Sequence, residues 1–313
     1  MDFRRLQYFL RIAELGSLGR ASEALRIAQP SLSRQMRLLE EELGVSLFAR
    51  HRRGMQLTEA GRKLRARVAG PLVQIDQAFN EIRSLPSEQG GNVAFGMPPT
   101  SVASLAASLM QRVAADPAGI TLRVVEANSD DLVDGLQRGE FDLAVIHASA
   151  ANFELNVKDL LVERLMLVGS PSRALSANEP IEFEMIGELP LLLPSRPHGL
   201  RLVVEEAAAK CRIKLNLRAE VDSLHLLKEL VERGTGYTLL PTSAFAHEAE
   251  TGRLKYAPVQ NPMCTRQLVL AVNPTCTWPR AAQRVESLLR QELLALVGSG
   301  KWIGWPLFEP LEF

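Results

Sequence analysis

Residues 18 to 53 constrain this chain more than any other stretch: LGRASEALRIAQPSLSRQMRLLEEELGVSLFARHRR. A short run rich in small residues leads into a proline-opened amphipathic run and then a basic loop. Pro30 has no N–H, and the first helical turn leaves that group unbonded anyway, so it can open a helix. Leu32, Met36, Leu39 and Leu43 follow at steps of 4, 3 and 4, a single apolar stripe on a helix over about residues 30–43. Upstream, residues 3–15 put Phe3, Leu6, Phe9, Leu10 and Ala13 on one helical face. Gly16 ends that helix, and Ser17 can cap the next, over about residues 18–26. Ala21 and Ala24 there, beside Leu25, let two helices approach closely across a turn at residues 27–29.

The third helix carries polar groups at its start: Gln29 and Pro30, then Ser31, Ser33, Arg34, Gln35 and Arg37. Arginine can bridge guanine O6 and N7, and glutamine can bridge adenine N6 and N7. Helices that enter the major groove present their first residues to base edges. The segment from Phe48 to Thr58 then predicts two short strands around Gly54, a wing whose Arg50, Arg52 and Arg53 meet phosphates or the minor groove. Net charge, zero for the whole chain, hides a division: residues 1–67 carry +7 and the remainder −7. A basic end on an acidic body predicts a module for double-stranded DNA joined to something else.

At this point a resemblance can be stated. Phe3-Arg-Arg-Leu-Gln-Tyr-Phe9, Gly16-Ser17, Ala21-Ser-Glu-Ala-Leu25, Gln29-Pro-Ser-Leu-Ser33, Leu39-Glu40, Leu43-Gly44, Leu47-Phe48 and Leu57-Thr-Glu-Ala-Gly61 occur in order. The stretch resembles the winged helix-turn-helix of LysR-type transcriptional regulators. The resemblance implies that Gln29, Pro30, Ser31, Ser33 and Arg34 face DNA. Ala28 departs from the pattern, where many members carry serine; a cap or a phosphate contact is in doubt there. Phe3-Arg-Arg-Leu, with Ile27-Ala-Gln-Pro30 and Pro194-Ser-Arg-Pro-His198-Gly, is similar to regulators of the nitrogen assimilation control type, and Ile27-Ala-Gln-Pro30 also resembles regulators of aromatic catabolism.

Thr58 caps a long amphipathic run in which Leu64, Val68, Leu72, Ile75, Phe79 and Ile82 recur at steps of 3 and 4. Such an exposed stripe needs a partner, and the resemblance implies a second subunit, giving a homodimer or homotetramer. The interior Pro71, after Gly70, predicts a kink or a break into two helices. Residues 84–91, rich in Pro, Gly and Ser, read as a hinge.

Beyond residue 92 apolar strand runs alternate with helices. Strands are expected at Asn92 to Met97, Thr121 to Glu126, Leu143 to His147, Met166 to Gly169, Leu191 to Pro194, Lys214 to Val221, Tyr237 to Pro241 and Gln267 to Asn273. Helices are expected near 101–115, 129–138, 199–212, 223–233 and 280–297. The alternation predicts an α/β fold with mainly parallel sheets. Gly234-Thr-Gly236 follows a helix and precedes a strand, so it reads as a turn and not as a phosphate loop.

The resemblance adds that this part has two lobes, like a periplasmic binding protein, with an effector between them. The organisation expected is a DNA-binding domain over 1–58 and a linker helix and hinge over 59–91. A regulatory domain over 92–300 follows, with one lobe over 92–163 and 267–300 and the other over 164–266, then a tail over 301–313. Pro99, Thr100 and Ser101 open a helix after the first strand, and Ser129 opens the next; free N–H groups at such helix starts suit a carboxylate. His147 ends a strand facing the cleft. Ser195, Arg196, His198 and Arg201 end a strand and start a helix in the second lobe, where the arginines and histidine can pair with an anion. The tail, with Trp302 and Trp305, is read as packing on the body or a neighbour.

No Gly-x-Ser-x-Gly, Walker or His-Glu-x-x-His pattern occurs, and Ser195 beside His198 cannot build a triad unaided. Cys211, Cys264 and Cys276 have neither metal nor CxxC spacing. No stretch reads as a signal peptide or bilayer span. The reading is therefore a cytoplasmic regulator and not an enzyme, with no cofactor. Its expected partners are DNA, RNA polymerase, a small anionic effector such as a carboxylate, and copies of itself. A two-lobed solute-binding protein with an accessory N-terminus and a ligand-independent DNA organiser are the alternatives.

Overall fold

The computed structural model describes residues 3–51, 54–83, 90–151, 155–272 and 279–308 of the 313. It contains two compact units, meeting in the chain at Leu85 and Pro86.

The first unit is a winged helix-turn-helix with its linker helix: α1 (Phe3–Leu15), α2 (Leu18–Leu25), α3 (Gln29–Leu43), β1 (Phe48–His51), β2 (Gly54–Leu57) and α4 (Glu59–Arg83). Gly16, at φ +62°, ends α1, and the Ser17 side chain accepts the Arg20 N–H at the start of α2. Phe9, Ile12, Ala21, Leu32, Met36, Leu39 and Leu47 form the core. Helix α3 begins at Gln29, one residue earlier than the proline suggested, so Pro30 is its second residue. Ala28 supplies no side-chain cap; its carbonyl takes the N–H groups of Ser31 and Leu32 at 2.9 and 3.1 Å. A serine hydroxyl is thus dispensable to the helix start.

The wing strands pair antiparallel, Phe48 opposite Leu57 and His51 opposite Gly54. The Phe48 ring packs 5.4 Å from that of Phe9. Glu40 Oε1 accepts the N–H groups of Leu47 and Phe48 at 2.7 and 3.2 Å, fixing the wing to α3. Met55 N–H donates to the Gly16 carbonyl at 2.9 Å, fixing it to the α1–α2 turn.

Thr58 Oγ1 caps α4 by accepting the Gly61 N–H at 3.0 Å. A Cβ at Gly61 would lie 2.2 Å from the Leu47 carbonyl oxygen, so only glycine fits this crossing. Leu64 and Val68 pack on the module's own core, while Ile75 is 40 % exposed. The expected break at Gly70-Pro71 does not occur: α4 runs unbroken with Pro71 inside it. Gly70 has no Cβ to clash with the pyrrolidine ring, which relieves that part of the cost, while the hydrogen bond that Pro71 cannot donate is still lost. The Phe79 and Ile82 side chains lie outside the described part.

The second unit is a two-lobed α/β domain. The first lobe opens with β3 (Gly91–Met97), then α5 (Pro99–Ser101), which passes through a π-helical turn at Val102–Ala106 into α6 (Ala107–Ala115). It continues with β4 (Ile120–Glu126), α7 (Ser129–Gln137), β5 (Leu143–His147) and the long β6 (Asn156–Gly169). The second lobe holds β7 (Ile181–Glu182), α8 (Phe183–Ile186), β8 (Leu191–Leu193), α9 (Gly199–Cys211) and β9 (Leu217–Glu220), then α10 (Leu224–Glu232), β10 (Thr238–Pro241), α11 (Ala246–Glu250) and β11 (Lys255–Gln260). The chain returns to the first lobe with β12 (Thr265–Val272), α12 (Arg280–Gly298) and β13 (Gly304–Pro306). Phe95, Leu109, Val285 and Leu289 anchor one core, and Phe183, Val204, Val231 and Phe245 the other. Gly234-Thr-Gly236 is a turn between α10 and β10, as its position in the sequence suggested.

Only part of the pairing is parallel, which corrects the expectation. β3 runs parallel to β4 and β5, and β8 to β9. Every ladder made by β6, and that of β12 with β5, is antiparallel. Strand β6 serves both lobes: residues 156–164 pair with β12, and 165–169 with β10 and β11. Its hydrogen bonding is continuous across the seam. Arg164 stands opposite Thr265, and Leu165 N–H donates to the Cys264 carbonyl at 2.8 Å.

The described part of the tail packs on the body. Trp302 is 1 % exposed within the first lobe's core, and β13 pairs with β6. Burial pushes the Cys264 thiol up to about 12, so it stays protonated and unreactive; Cys276 lies outside the described residues. Among the described residues no helix is long and apolar enough to cross a membrane.

Candidate functional site

The start of α3 presents a polar surface. Gln29, Pro30, Ser31, Arg34 and Arg37 are exposed, and Ser33 and Gln35 are half-buried. Among the described residues Arg34 and Arg37 make no intramolecular hydrogen bond or ion pair. Their guanidinium groups are free for phosphate or base edges. Gln35 is partly engaged: its Oε1 accepts Arg5 Nε at 3.2 Å, and Arg5 also pairs with Glu42 at 3.1 Å. Arg50 belongs to β1; Arg52 and Arg53 fall outside the described residues.

Within the second unit a pocket of about 380 Å³, mouth included, lies between the lobes. Pro99, Thr100 and His147 line it from the first lobe, and Pro194, His198 and Asp222 from the second. Leu224, Leu227 and Leu240 supply an apolar wall.

The helix opening at Pro99 offers fewer backbone donors than expected, leaving the Thr100 N–H. Pro98 and Pro99 have no N–H, and the N–H groups of Ser101 and Val102 both bond the Pro98 carbonyl, at 2.9 and 3.0 Å. Further polarity here comes from side chains. Thr100 Oγ1 accepts Arg266 Nη2 at 2.9 Å. Arg266 Nε donates to Glu163, and Trp302 Nε1 donates to the other Glu163 oxygen at 2.8 Å. Glu163 is fully buried and Arg266 nearly so. Arg266 Nη1 and the Ser101 hydroxyl are buried with no partner.

Ser129 stands behind His147. Its Oγ accepts the His147 backbone N–H at 3.1 Å and lies 2.9 Å from His147 Nδ1. Burial, reinforced by the Arg266 charge and then by His198, holds the His147 imidazole well below its usual range and therefore neutral. His147 Nε2 is buried without a partner. His198 caps α9 by accepting the Leu200 N–H on Nδ1 at 3.2 Å; burial and then the Arg266 charge lower its pKa as well.

Three residues expected at an anion do something else. Ser195 donates its amide and its hydroxyl to Asp222 Oδ1, both at 2.8 Å. Arg196 Nε bonds both oxygens of Glu205, at 3.1 and 3.0 Å. Arg201 bonds Glu205 at 2.6 Å and reaches the Pro194 carbonyl at 3.3 Å and Glu220 at 3.4 Å. Glu205, one turn along α9, engages both arginines, with Glu220 as a second partner of Arg201, and neither arginine lines the pocket. The residues not anticipated are Arg266, Glu163 and Asp222. Asp222 had a legible signal, since it follows strand β9 at the carboxyl end, where open α/β sheets place ligands. Among the described residues no group of three or more His, Cys, Asp or Glu could hold a metal ion.

Comparison with known proteins agrees with this architecture. Residues 3–62 match the family model described as bacterial regulatory helix-turn-helix protein, lysR family, and residues 86–294 match the LysR substrate binding domain. The chain is 30% identical to the transcriptional regulator BbuR of Bordetella bronchiseptica, over 98% of this chain and 94% of that one. It is 31% identical to the nitrogen assimilation regulatory protein nac of Escherichia coli, over 92% and 94%. Among solved structures, full-length CbnR bound to its target DNA superposes with a TM-score of 0.71 at 19% identity, covering 93% of this chain and 100% of that one. Full-length OxyR from Pseudomonas aeruginosa gives 0.69 at 24% identity, covering 94% and 95%. The matched models span both units in the order in which the chain folds them, and this protein belongs to the LysR family of bacterial transcriptional regulators.

Proposed function

We propose that this DNA-binding regulator is controlled by a small carboxylate-bearing metabolite held between its two lobes. The observation that carries the reading is the unpartnered His147 Nε2, buried on the wall of the inter-lobe pocket. A buried polar atom without a partner is costly, and a ligand that bonds it is favoured by that deficit. The Thr100 hydroxyl stands on the same wall. On the DNA side, Gln29, Ser31, Ser33, Arg34 and Arg37 are the groups proposed to read or clamp the duplex, with Gln35 oriented by Arg5. Pro30 shapes the helix start, and Arg50, Arg52 and Arg53 are proposed to reach the phosphates or minor groove. Two subunits pairing along the outer part of α4 would set two recognition helices on a pseudo-palindromic site. Ligand-dependent geometry then alters contact with RNA polymerase in the cytoplasm.

Gel shifts on the promoter region beside the gene test the DNA surface. Arg34→Ala is expected to lower specific affinity by about tenfold or more; unchanged specific binding would sink that assignment. Thermal shift with a carboxylate panel tests the pocket. Stabilisation that disappears in His147→Ala is the expected result.

A further inference from the structure

The inter-lobe pocket presents both donors and an ionised acceptor to whatever occupies it. On the first lobe's side the polar groups are donors. Thr100 Oγ1 already accepts from Arg266, which leaves its hydroxyl hydrogen for another acceptor. Ser129 Oγ already accepts the His147 amide, and the acceptor in reach of its own hydrogen is His147 Nδ1 at 2.9 Å. Where the Ser129 hydrogen goes to Nδ1, the proton of the neutral ring stands on Nε2. His147, 7 % exposed and lining the pocket, then offers an Nε2–H for which the described residues supply no acceptor.

The second lobe adds an acceptor beside a further donor, since His198, whose Nδ1 takes the Leu200 N–H, keeps its proton on Nε2. Asp222 lines the same pocket as an acceptor. The two Ser195 hydrogen bonds, backbone first, lower its pKa and keep it ionised. Both bonds go to Oδ1, so Oδ2 retains acceptor capacity. The second lobe's leucines complete the wall and ask only for apolar contact. A bare anion would satisfy His147 and Thr100 but meet like charge at Asp222. A bare cation would do the converse.

We infer that the ligand of this pocket is amphoteric: an amino acid or hydroxy acid with a short apolar body. Its carboxylate takes the Thr100 and His147 donors, and its ammonium or hydroxyl group donates to Asp222. The inference rests on the reading of this pocket as the effector site and adds the second pole.

Matched ligand pairs test it on the full-length protein by calorimetric titration and thermal shift. The probes are leucine and 2-hydroxy-4-methylpentanoate against 4-methylpentanoate, and 4-aminobutanoate against butanoate. At least one donor-bearing acid is expected to bind about 10- to 100-fold more tightly than its plain counterpart, the worth of one hydrogen bond to a charged group. Asp222→Asn is expected to erase that preference without weakening the plain acid. If Asp222→Asn fails to fold, as judged by loss of DNA binding, Ser195→Ala replaces it, with a smaller loss of preference expected. A plain acid that binds as tightly as its partners overturns the amphoteric assignment and leaves the carboxylate site standing. A preference that survives Asp222→Asn removes Asp222 from it. Failure of all five probes, with no response to His147→Ala, overturns both readings.

Discussion

Trp302 Nε1 donates to Glu163 at 2.8 Å, and this bond ties the C-terminal segment to the strand shared by both lobes. Glu163 is fully buried, and its other oxygen is held by Arg266. Trp302→Phe keeps an aromatic ring but leaves a buried carboxylate oxygen short of a partner, at about 1–3 kcal/mol. A thermal transition several degrees lower is expected; one within a degree of wild type would show that the bond adds nothing to stability.

Acidification should weaken the second unit through its histidines before Asp116 and Asp222 titrate. The folded state resists protonating His147, while the unfolded chain takes that proton near pH 6.5. Above that pH neither state binds it, and the stabilisation is complete. Below it only the unfolded state does, so stability falls by at most about 1.4 kcal/mol per pH unit for each such histidine. His198, lowered too, acts in the same direction. Asp116 and Asp222, held low by Arg284 and Ser195, contribute only below about pH 4. Denaturant titrations between pH 7.5 and 5.5 should therefore slope downwards with acid, and His147→Asn should flatten that slope. Parallel wild-type and variant curves would contradict the assignment.

Gly61→Ala should disturb the wing. The added methyl meets the Leu47 backbone oxygen, which cannot rotate away, and overpacking of this kind costs about 1–3 kcal/mol. Glu40→Ala removes the acceptor for two wing N–H groups. Both variants should keep a helical spectrum while losing DNA affinity, measured by fluorescence anisotropy. Wild-type affinity in both would mean that the wing does not bear on binding.

The two arginines of the second lobe should separate. Arg196 is 70% exposed in its side chain and only supplements Glu205, so Arg196→Ala should leave the melting curve and ligand response nearly unchanged. Arg201 is buried against Glu205 and the Pro194 carbonyl, and Arg201→Ala should lower the melting temperature clearly. A selective loss of ligand binding in Arg196→Ala would return that residue to the pocket.

The N-terminal unit was legible because its periodicity is local. Leu32, Met36 and Leu39 are the buried residues of α3, as their spacing required. Ile12, off the expected stripe yet fully buried, shows that α1 is covered on a wider face than one helix contact needs. The second unit was legible in its parallel strands and helices and in the end of β6 at Met166 to Gly169, but not along the earlier part of that strand. Lys158, Asp159, Glu163 and Arg164 break its apolar run, because Glu163 turns inward to a cation more than a hundred residues further along the chain. Strand β11 carries Pro258, which argues against a strand from sequence alone, and it too was missed. In the pocket, Thr100, His147 and His198 were identified by type and place. Arg266 and Asp222 were not, since their importance comes from partners far away in the chain: Glu163 and Thr100 for the one, Ser195 for the other.

The continuity of β6 limits how the lobes can move. A loop hinge absorbs large dihedral changes at a few residues. Here the crossing is made by a strand whose hydrogen bonding does not lapse between Arg164 and Leu165. To swing the lobes widely the protein would have to tear part of its own sheet. Such a joint favours a change of twist spread along the strand over a bend at one residue. A metabolite held between the lobes is then expected to act by twisting a shared sheet and not by closing a free jaw.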